Sequence, residues 1–200
     1  MRYGMVIDLK RCIGCSGCQI FCKSENATPP GILWSRVLFY ESGSYPNVKK
    51  IHLPLLCMHC AEPACIGTCP TGATAKRPDG IVTVDQEKCM GCRSCVVACP
   101  YRARTFRGKK SEYFPGQGLT PYEKIGYQKH PIGVVEKCDF CLSRIQEGLK
   151  PACVTGCMAK ARYFGDLDDS EGEVSRMIRD YRGFQIYPEL GTDPSVYYIL

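Results

Sequence analysis

The placement of cysteine constrains this chain more than any other feature. Sixteen of its 200 residues are Cys. They fall into four groups of four: Cys12, Cys15, Cys18 and Cys22; Cys57, Cys60, Cys65 and Cys69; Cys89, Cys92, Cys95 and Cys99; and Cys138, Cys141, Cys153 and Cys157. Each group opens with two cysteines separated by two residues, and no cysteine is left over. A short secreted chain this rich in Cys would read as a disulfide scaffold. A disulfide framework has no need of tetrads, however, whereas ligation of a metal or cluster does.

The first and third groups follow C-x2-C-x2-C-x3-C, the spacing of bacterial ferredoxins. The reason is geometric. Three thiolates in one tight loop can each take one iron of a cubane. The fourth, at the start of the following helix, points away and completes the other cluster of a pair. Small residues in the loops (Gly14, Ser16, Gly17 and Gly91) let backbone N–H groups approach cluster sulfurs and tune their charge. Pro70 and Pro100 follow the fourth cysteines of groups two and three, as the pattern prefers; Lys23 and Met158 stand there in groups one and four.

The chain repeats itself. VIDLKRCIGCSGCQIFC aligns with TVDQEKCMGCRSCVVACP, pairing Asp8 with Asp85, Arg11 with Lys88 and Gly14 with Gly91. Each copy reads as a short strand, a tight loop and the start of a helix. CMHCAEPACIGTCPTGA aligns with CDFCLSRIQEGLKPACVTGCMAKA, with seven residues inserted between the second and third cysteines of group four. One element of each kind makes a two-cluster ferredoxin, so groups two and three form a contiguous unit and groups one and four form its partner from opposite ends of the chain. The predicted fold is α+β: two pseudo-symmetric ferredoxin-like modules, an inner half at 57–100 threaded into an outer half at 1–56 and 101–200.

Crossing of the fourth ligands predicts four [4Fe–4S] sites. They are Cys12, Cys15, Cys18 and Cys157; Cys22, Cys138, Cys141 and Cys153; Cys57, Cys60, Cys65 and Cys99; and Cys69, Cys89, Cys92 and Cys95. Structural zinc is the competing use of such cysteines, but groups one and three are too closely packed for a common zinc ribbon. The formal charge of +6 is not read as a nucleic-acid footprint, because no nucleic-acid motif accompanies it. Each cluster with its thiolates carries about −2, so four bring the total to about −2.

Between the groups, Asn26–Ile51 is irregular and holds the single tryptophan, Trp34, expected in a core or an interface. Tyr101–Ile132 is basic and rich in Gly, Pro and Tyr, which predicts a surface loop or insertion. Its Arg102, Arg104, Arg107, Lys109 and Lys110 read as a solvated face, with a docking patch or charge shield for clusters as the functional alternative. His59, inside C-M-H-C, is expected to hydrogen-bond locally rather than to ligate iron. Within 166–200, Ser170 and Glu173 suggest a capping box opening a helix that stops near Gly183. Tyr187–Leu200 reads as an extended tail over the body or against a partner. No apolar run approaches the roughly 18–20 residues of a membrane span, and no signal peptide is apparent; the sequence predicts a soluble chain.

On these motifs the chain resembles the iron–sulfur (beta) subunits of the dimethyl-sulfoxide-reductase family of molybdopterin oxidoreductases. The likeness runs from YGMVIDLKRCIGC through PLLCMHCAEPAC, CPTGA, DGIVTVDQEKCMGCRSCVVACPY, EKCDFC and KPAC to GDLDD and PELGT. The flanking stretches resemble the short soluble members, such as polysulfide and respiratory arsenate reductase subunits, and MVIDLKRCIGC, GILWS and YPNVKKIHLPLLC look most like the arsenate type. The resemblance implies a non-catalytic electron-transfer subunit of an anaerobic respiratory enzyme. Its partner would be a large catalytic subunit holding a molybdenum or tungsten pterin cofactor, and its electron donor a quinol-oxidising membrane anchor or a cytochrome. The first cluster would face the catalytic subunit and the fourth the donor. Cys92 stands where some relatives carry tryptophan and a three-iron cluster. The family also implies a periplasm-facing location by co-export with the partner, the alternative being cytoplasmic. Two other functions compete: a free polyferredoxin or hydrogenase-associated carrier, and a zinc-stabilised interaction scaffold.

Overall fold

The computed structural model describes residues 1–200. In chain order the elements are β1 (Tyr3–Asp8), α1 (Gly17–Asn26), β2 (Arg36–Ser44), β3 (Asn47–Leu55), α2 (Ala64–Gly67), β4 (Thr74–Lys76), β5 (Val82–Val84), α3 (Ser94–Val97), β6 (Thr105–Phe106), α4 (Pro121–Gly126), β7 (Val135–Glu136), α5 (Leu142–Gln146), α6 (Ala152–Thr155), β8 (Arg162–Asp166), α7 (Glu173–Asp180) and β9 (Val196–Ile199). The result is a small mixed α/β protein of short elements. No helix is long and apolar enough to cross a membrane.

β1 forms the centre of the one three-stranded sheet, antiparallel to β8 and parallel to β9. Its side chains alternate, as a strand buried on both faces requires. Met5 and Ile7 enter the main core with Phe164, Val196 and Tyr198, while Val6 meets Val174 and Ile199 beneath α7 on the other face. The segment read as a tail is thus partly a structural strand: the VYYI stretch pairs with the N-terminal strand, and the Tyr198 hydroxyl donates to the Pro54 carbonyl at 2.8 Å.

The anticipated capping box at Ser170 and Glu173 does not form. The Asp169 carbonyl accepts from Gly172 N–H at 3.0 Å, closing a turn first. The helix therefore starts with Gly172 at its N-cap and Glu173 in its first position, out of reach of Ser170. A capping box exists instead at α4, between Thr120 and Glu123, within the stretch read as a loop.

The two repeats are visible as matching strand pairs. The strand before group one pairs with the strand after group four (β1 with β8), and the strand before group three with the strand after group two (β5 with β4). Likewise the base of β2–β3, Arg36 opposite Leu55, corresponds to β6–β7, Thr105 opposite Glu136. The copies differ in length. β2 and β3 pair over nine residues each, making a ribbon whose far end is exposed. The segment read as irregular is therefore mostly a hairpin. Trp34 sits at its foot, packed on the main core and edge-on to His130 at 5.7 Å.

Candidate iron–sulfur sites

None of the sixteen cysteines is bonded to another. Their thiols instead ring cavities. Cys12, Cys15, Cys18 and Cys157 line one, walled also by Ile7 and Arg162. Cys57, Cys60, Cys65 and Cys99 line a second, walled by His59 and Arg104. Cys69, Cys89, Cys92 and Cys95 line a third. The remaining four, Cys22, Cys138, Cys141 and Cys153, meet within the core; Asn26 Nδ2 lies 3.6 Å from the sulfurs of both Cys22 and Cys141. No three Cys, His, Asp or Glu side chains converge closely enough to share a single metal ion.

Local backbone chemistry creates these rings. Gly14 and Gly91 hold the same place in the two repeated loops, with φ of +68° and +72°, a conformation glycine adopts freely. A Cβ on Gly14 would strike the His52 ring, and one on Gly91 the Gly133 carbonyl. The tight turns aim backbone N–H groups at sulfur: Ala161 at Cys157 (3.2 Å), Val135 at Cys89 (3.4 Å), Phe140 at Cys138 (3.4 Å) and Ala103 at Cys99 (3.5 Å). Such donors favour a charged sulfur.

Burial opposes that charge. It pushes the Cys60 thiol up to about 12, with Cys57 adding to the effect. Burial likewise raises Cys141 to about 11, and it drives Cys22 and Cys138 upward with help from neighbouring thiols. At Cys69 burial also pushes up, but N–H groups of Thr74, Thr71 and Ala73 and the Thr71 hydroxyl outweigh it and bring the thiol down to about 7. Four sulfurs gathered in so dry a place can all be thiolates only if positive charge joins them. Iron bound by all four would supply it, so the donor set fits an iron–sulfur cluster held by one thiolate per iron.

Two arginines touch sulfur: Arg162, which the cysteine spacing did not single out, and Arg104, one of the basic run for which a charge shield for clusters was the functional alternative. Arg104 and Arg107, read in the basic run as a solvated face, are buried, whereas Arg102, Lys109 and Lys110 are exposed. Burial follows from what Arg104 touches: its Nη2 lies 2.9 Å from the Cys65 sulfur and its Nη1 donates to the Thr74 hydroxyl at 3.0 Å. Arg162, also buried, brings Nη2 to 3.3 Å from the Cys18 sulfur. The available signal was the spacing C-x4-R, present after both Cys99 and Cys157. His59 bonds locally: its Nδ1 accepts from Val82 N–H at 3.1 Å, and its ring stacks on Phe140 at 3.7 Å. These rings are the third residues of C-M-H-C and C-D-F-C, so the two repeated motifs touch through equivalent positions.

Comparison with known proteins agrees with this chemistry. The family described as "4Fe-4S dicluster domain" matches residues 48–117 and 105–167. An iron–sulfur subunit assigned to dimethyl sulfoxide reductase in Halobacterium salinarum is 46% identical over 99% of this chain and 79% of its own. A subunit of the selenate reductase of Mesobacillus selenatarsenatis is 44% identical over 100% of this chain and 72% of its own. The arsenate respiratory reductase iron–sulfur subunit of a Shewanella species is 38% identical over 100% of this chain and 96% of its own. Buried sulfur rings joined to these matches leave one assignment: the chain belongs to the iron–sulfur (beta) subunits of molybdopterin oxidoreductases, electron-transfer proteins whose catalytic activity resides in a separate subunit.

Proposed function

We propose that the chain carries four [4Fe–4S] clusters, one in each ring of sulfurs, and relays electrons between a molybdenum or tungsten pterin subunit and a quinol-oxidising membrane anchor or a cytochrome. The ligand sets are Cys12, Cys15, Cys18 and Cys157; Cys22, Cys138, Cys141 and Cys153; Cys57, Cys60, Cys65 and Cys99; and Cys69, Cys89, Cys92 and Cys95. The clusters accept and release one electron each; the chain fixes their order and keeps water from the inner ones. The observation that carries this reading is the crossing of sulfurs: Cys157 lines a cavity with Cys12, Cys15 and Cys18, and Cys69 lines one with Cys89, Cys92 and Cys95. Each pair of clusters is thereby tied together by the chain that ligates it, as in an inner ferredoxin-like half enclosed by an outer one.

The catalytic subunit docks, on this reading, beside the first ring. Ile13 of the C-I-G-C loop is 64% exposed, and Ile20 and Phe21 of α1 are exposed beside it. The hairpin adds exposed Phe39, Tyr40 and Tyr45. An apolar, aromatic surface of this kind suits a lasting interface, and it borders a cluster that must exchange electrons with the partner. The arsenate type is the favoured enzyme; the 96% of the arsenate relative's length that aligns supports it.

Anaerobic purification tests the reading. The expected product contains sixteen irons and sixteen acid-labile sulfides, co-purifies with a large pterin-binding chain and re-oxidises when arsenate is added to the reduced complex. A fully functional lone monomer would turn the assignment to a free polyferredoxin, and a colourless zinc protein to an interaction scaffold.

A further inference from the structure

Arg162 and Arg104 occupy the same chemical position in the two halves but reach it from different places in the chain. Arg162 Nη2 lies 3.3 Å from the Cys18 sulfur, and the Cys153 sulfur is a second neighbour of its charge. Arg104 Nη2 lies 2.9 Å from the Cys65 sulfur, and the Cys95 sulfur is a second neighbour of its charge. In the repeat alignment Cys18 is the counterpart of Cys95, and Cys153 that of Cys65. Both guanidinium groups therefore sit beside the same pair of equivalent sulfurs, one from each ring of their half, and each bonds one of the pair.

The arginines themselves are not repeat equivalents. Arg162 follows the fourth cysteine of group four by five residues, and the same place after group two is Thr74. Arg104 follows the fourth cysteine of group three instead. It reaches across to Thr74, whose hydroxyl accepts from its Nη1 at 3.0 Å, and so delivers its charge to the spot that Arg162 fills directly in the other half. Simple inheritance from a duplicated ancestor would have left both arginines at one position. A cation supplied twice, by two routes, points to a demand at that spot.

Physical chemistry identifies the demand. The guanidinium is always charged and presents five donors in a fixed fork, so one side chain can serve two sulfurs. Both arginines are about 4% exposed, and in so dry a setting their charge is weakly screened. Reduction adds an electron to a site already near −2. A fixed cation between two such sites stabilises the reduced form of each.

Resting on the four-cluster reading above, we propose that Arg162 and Arg104 are positioning residues for electron transfer, each a shared counter-charge that raises the reduction potentials of both clusters in its own half. Neither touches a substrate.

The test is a redox titration followed by electron paramagnetic resonance on the intact, anaerobically purified complex. The wild type is measured first; fewer than sixteen irons there would defeat the four-cluster reading and this proposal with it, whereas sixteen irons with unmoved potentials in the variants would defeat this proposal alone. Arg162→Met and Arg104→Met remove the charge and keep an unbranched stem. With iron content unchanged, each variant is expected to make reduction at least tenfold harder for two of the four clusters, ~59 mV for a one-electron couple. The two variants should move complementary pairs, and Arg162→Lys and Arg104→Lys should restore most of the shift. Four unmoved potentials, or all four moving alike, would overturn the proposal. If the Met variants lose iron, the Lys variants decide. Retention of sixteen irons with lysine supports a requirement for charge, and loss with lysine as well overturns it in favour of a purely structural fork.

Discussion

Cys22, Cys138, Cys141 and Cys153 are all buried, whereas among Cys69, Cys89, Cys92 and Cys95 only Cys95 is. Both sets lie on related motifs, so the contrast isolates what surroundings do to the same sulfur chemistry. In the deep set, burial drives thiols upward, and the neighbouring sulfurs reinforce it. In the shallow set, backbone N–H groups govern: Cys69 comes down to about 7, and N–H and hydroxyl donation from Ser94 lowers Cys92. The deep ring is thus held by the packing of the whole outer half and needs a strong counter-charge. The shallow ring is held by its own loop.

The sharpest way to break this comparison is to delete one sulfur from each ring. Cys141→Ala should destabilise the protein by more than about 4 kcal/mol, with iron lost beyond a single cluster. Cys92→Ala should cost iron at its own site only and leave the melting temperature nearly unchanged. Metal analysis and anaerobic thermal melts read both; equal losses would erase the distinction.

The equivalent loop glycines make a second, smaller contrast. Gly91→Ala should cost about 3 kcal/mol, since it combines the left-handed penalty with a collision against the Gly133 backbone. Gly14→Ala meets only the His52 side chain, which can turn aside, and should cost about 1–2 kcal/mol. Tyr198→Phe follows at about 1–2 kcal/mol, because the buried Pro54 carbonyl loses its hydroxyl donor.

The smallest effect lies outside the rings, in the stretch between groups three and four. Thr120→Ala removes the α4 cap at about 1 kcal/mol. Its partner carboxylate, Glu123, is held down to about 2 by N–H groups of Tyr113 and Thr120 and by the Thr120 hydroxyl. A carboxyl depressed in the fold contributes stability that is complete above its ordinary value of 4.5 and lost as pH falls through 4.5 toward about 2. Glu123→Gln should mimic that loss at neutral pH, seen as faster proteolysis between residues 108 and 130; unchanged cleavage would remove Glu123 from the account.

Much of the molecule was legible because cysteine spacing is a local signal. The strand–loop–helix of groups one and three follows directly from it, as β1 with α1 and β5 with α3. What escaped depends on distant partners. The VYYI stretch carries no local mark of the strand it joins, because its register is set against Met5–Asp8 at the other end of the chain. The outer part of the β2–β3 ribbon, with Glu41, Ser42, Lys49 and Lys50 exposed, lacks the half-buried alternation that announces a strand. Arg104 looked like its exposed neighbours Arg102 and Lys109, since charge in a sequence does not reveal which side chain finds a sulfur. The Ser170 cap failed for a related reason: Asp169 closed the preceding turn before serine could act.

The meeting of Cys12 and Cys157 in one cavity has a bearing on biosynthesis. A growing polypeptide presents Cys12, Cys15 and Cys18 early, yet Cys157, which completes their ring, is added 139 residues after Cys18. The sulfurs of 57–99 are all delivered within one short stretch. Closing the N-terminal ring therefore waits on the synthesis of Cys157, and until then its early thiols stand open to oxygen and stray metals while the middle of the chain can already fold.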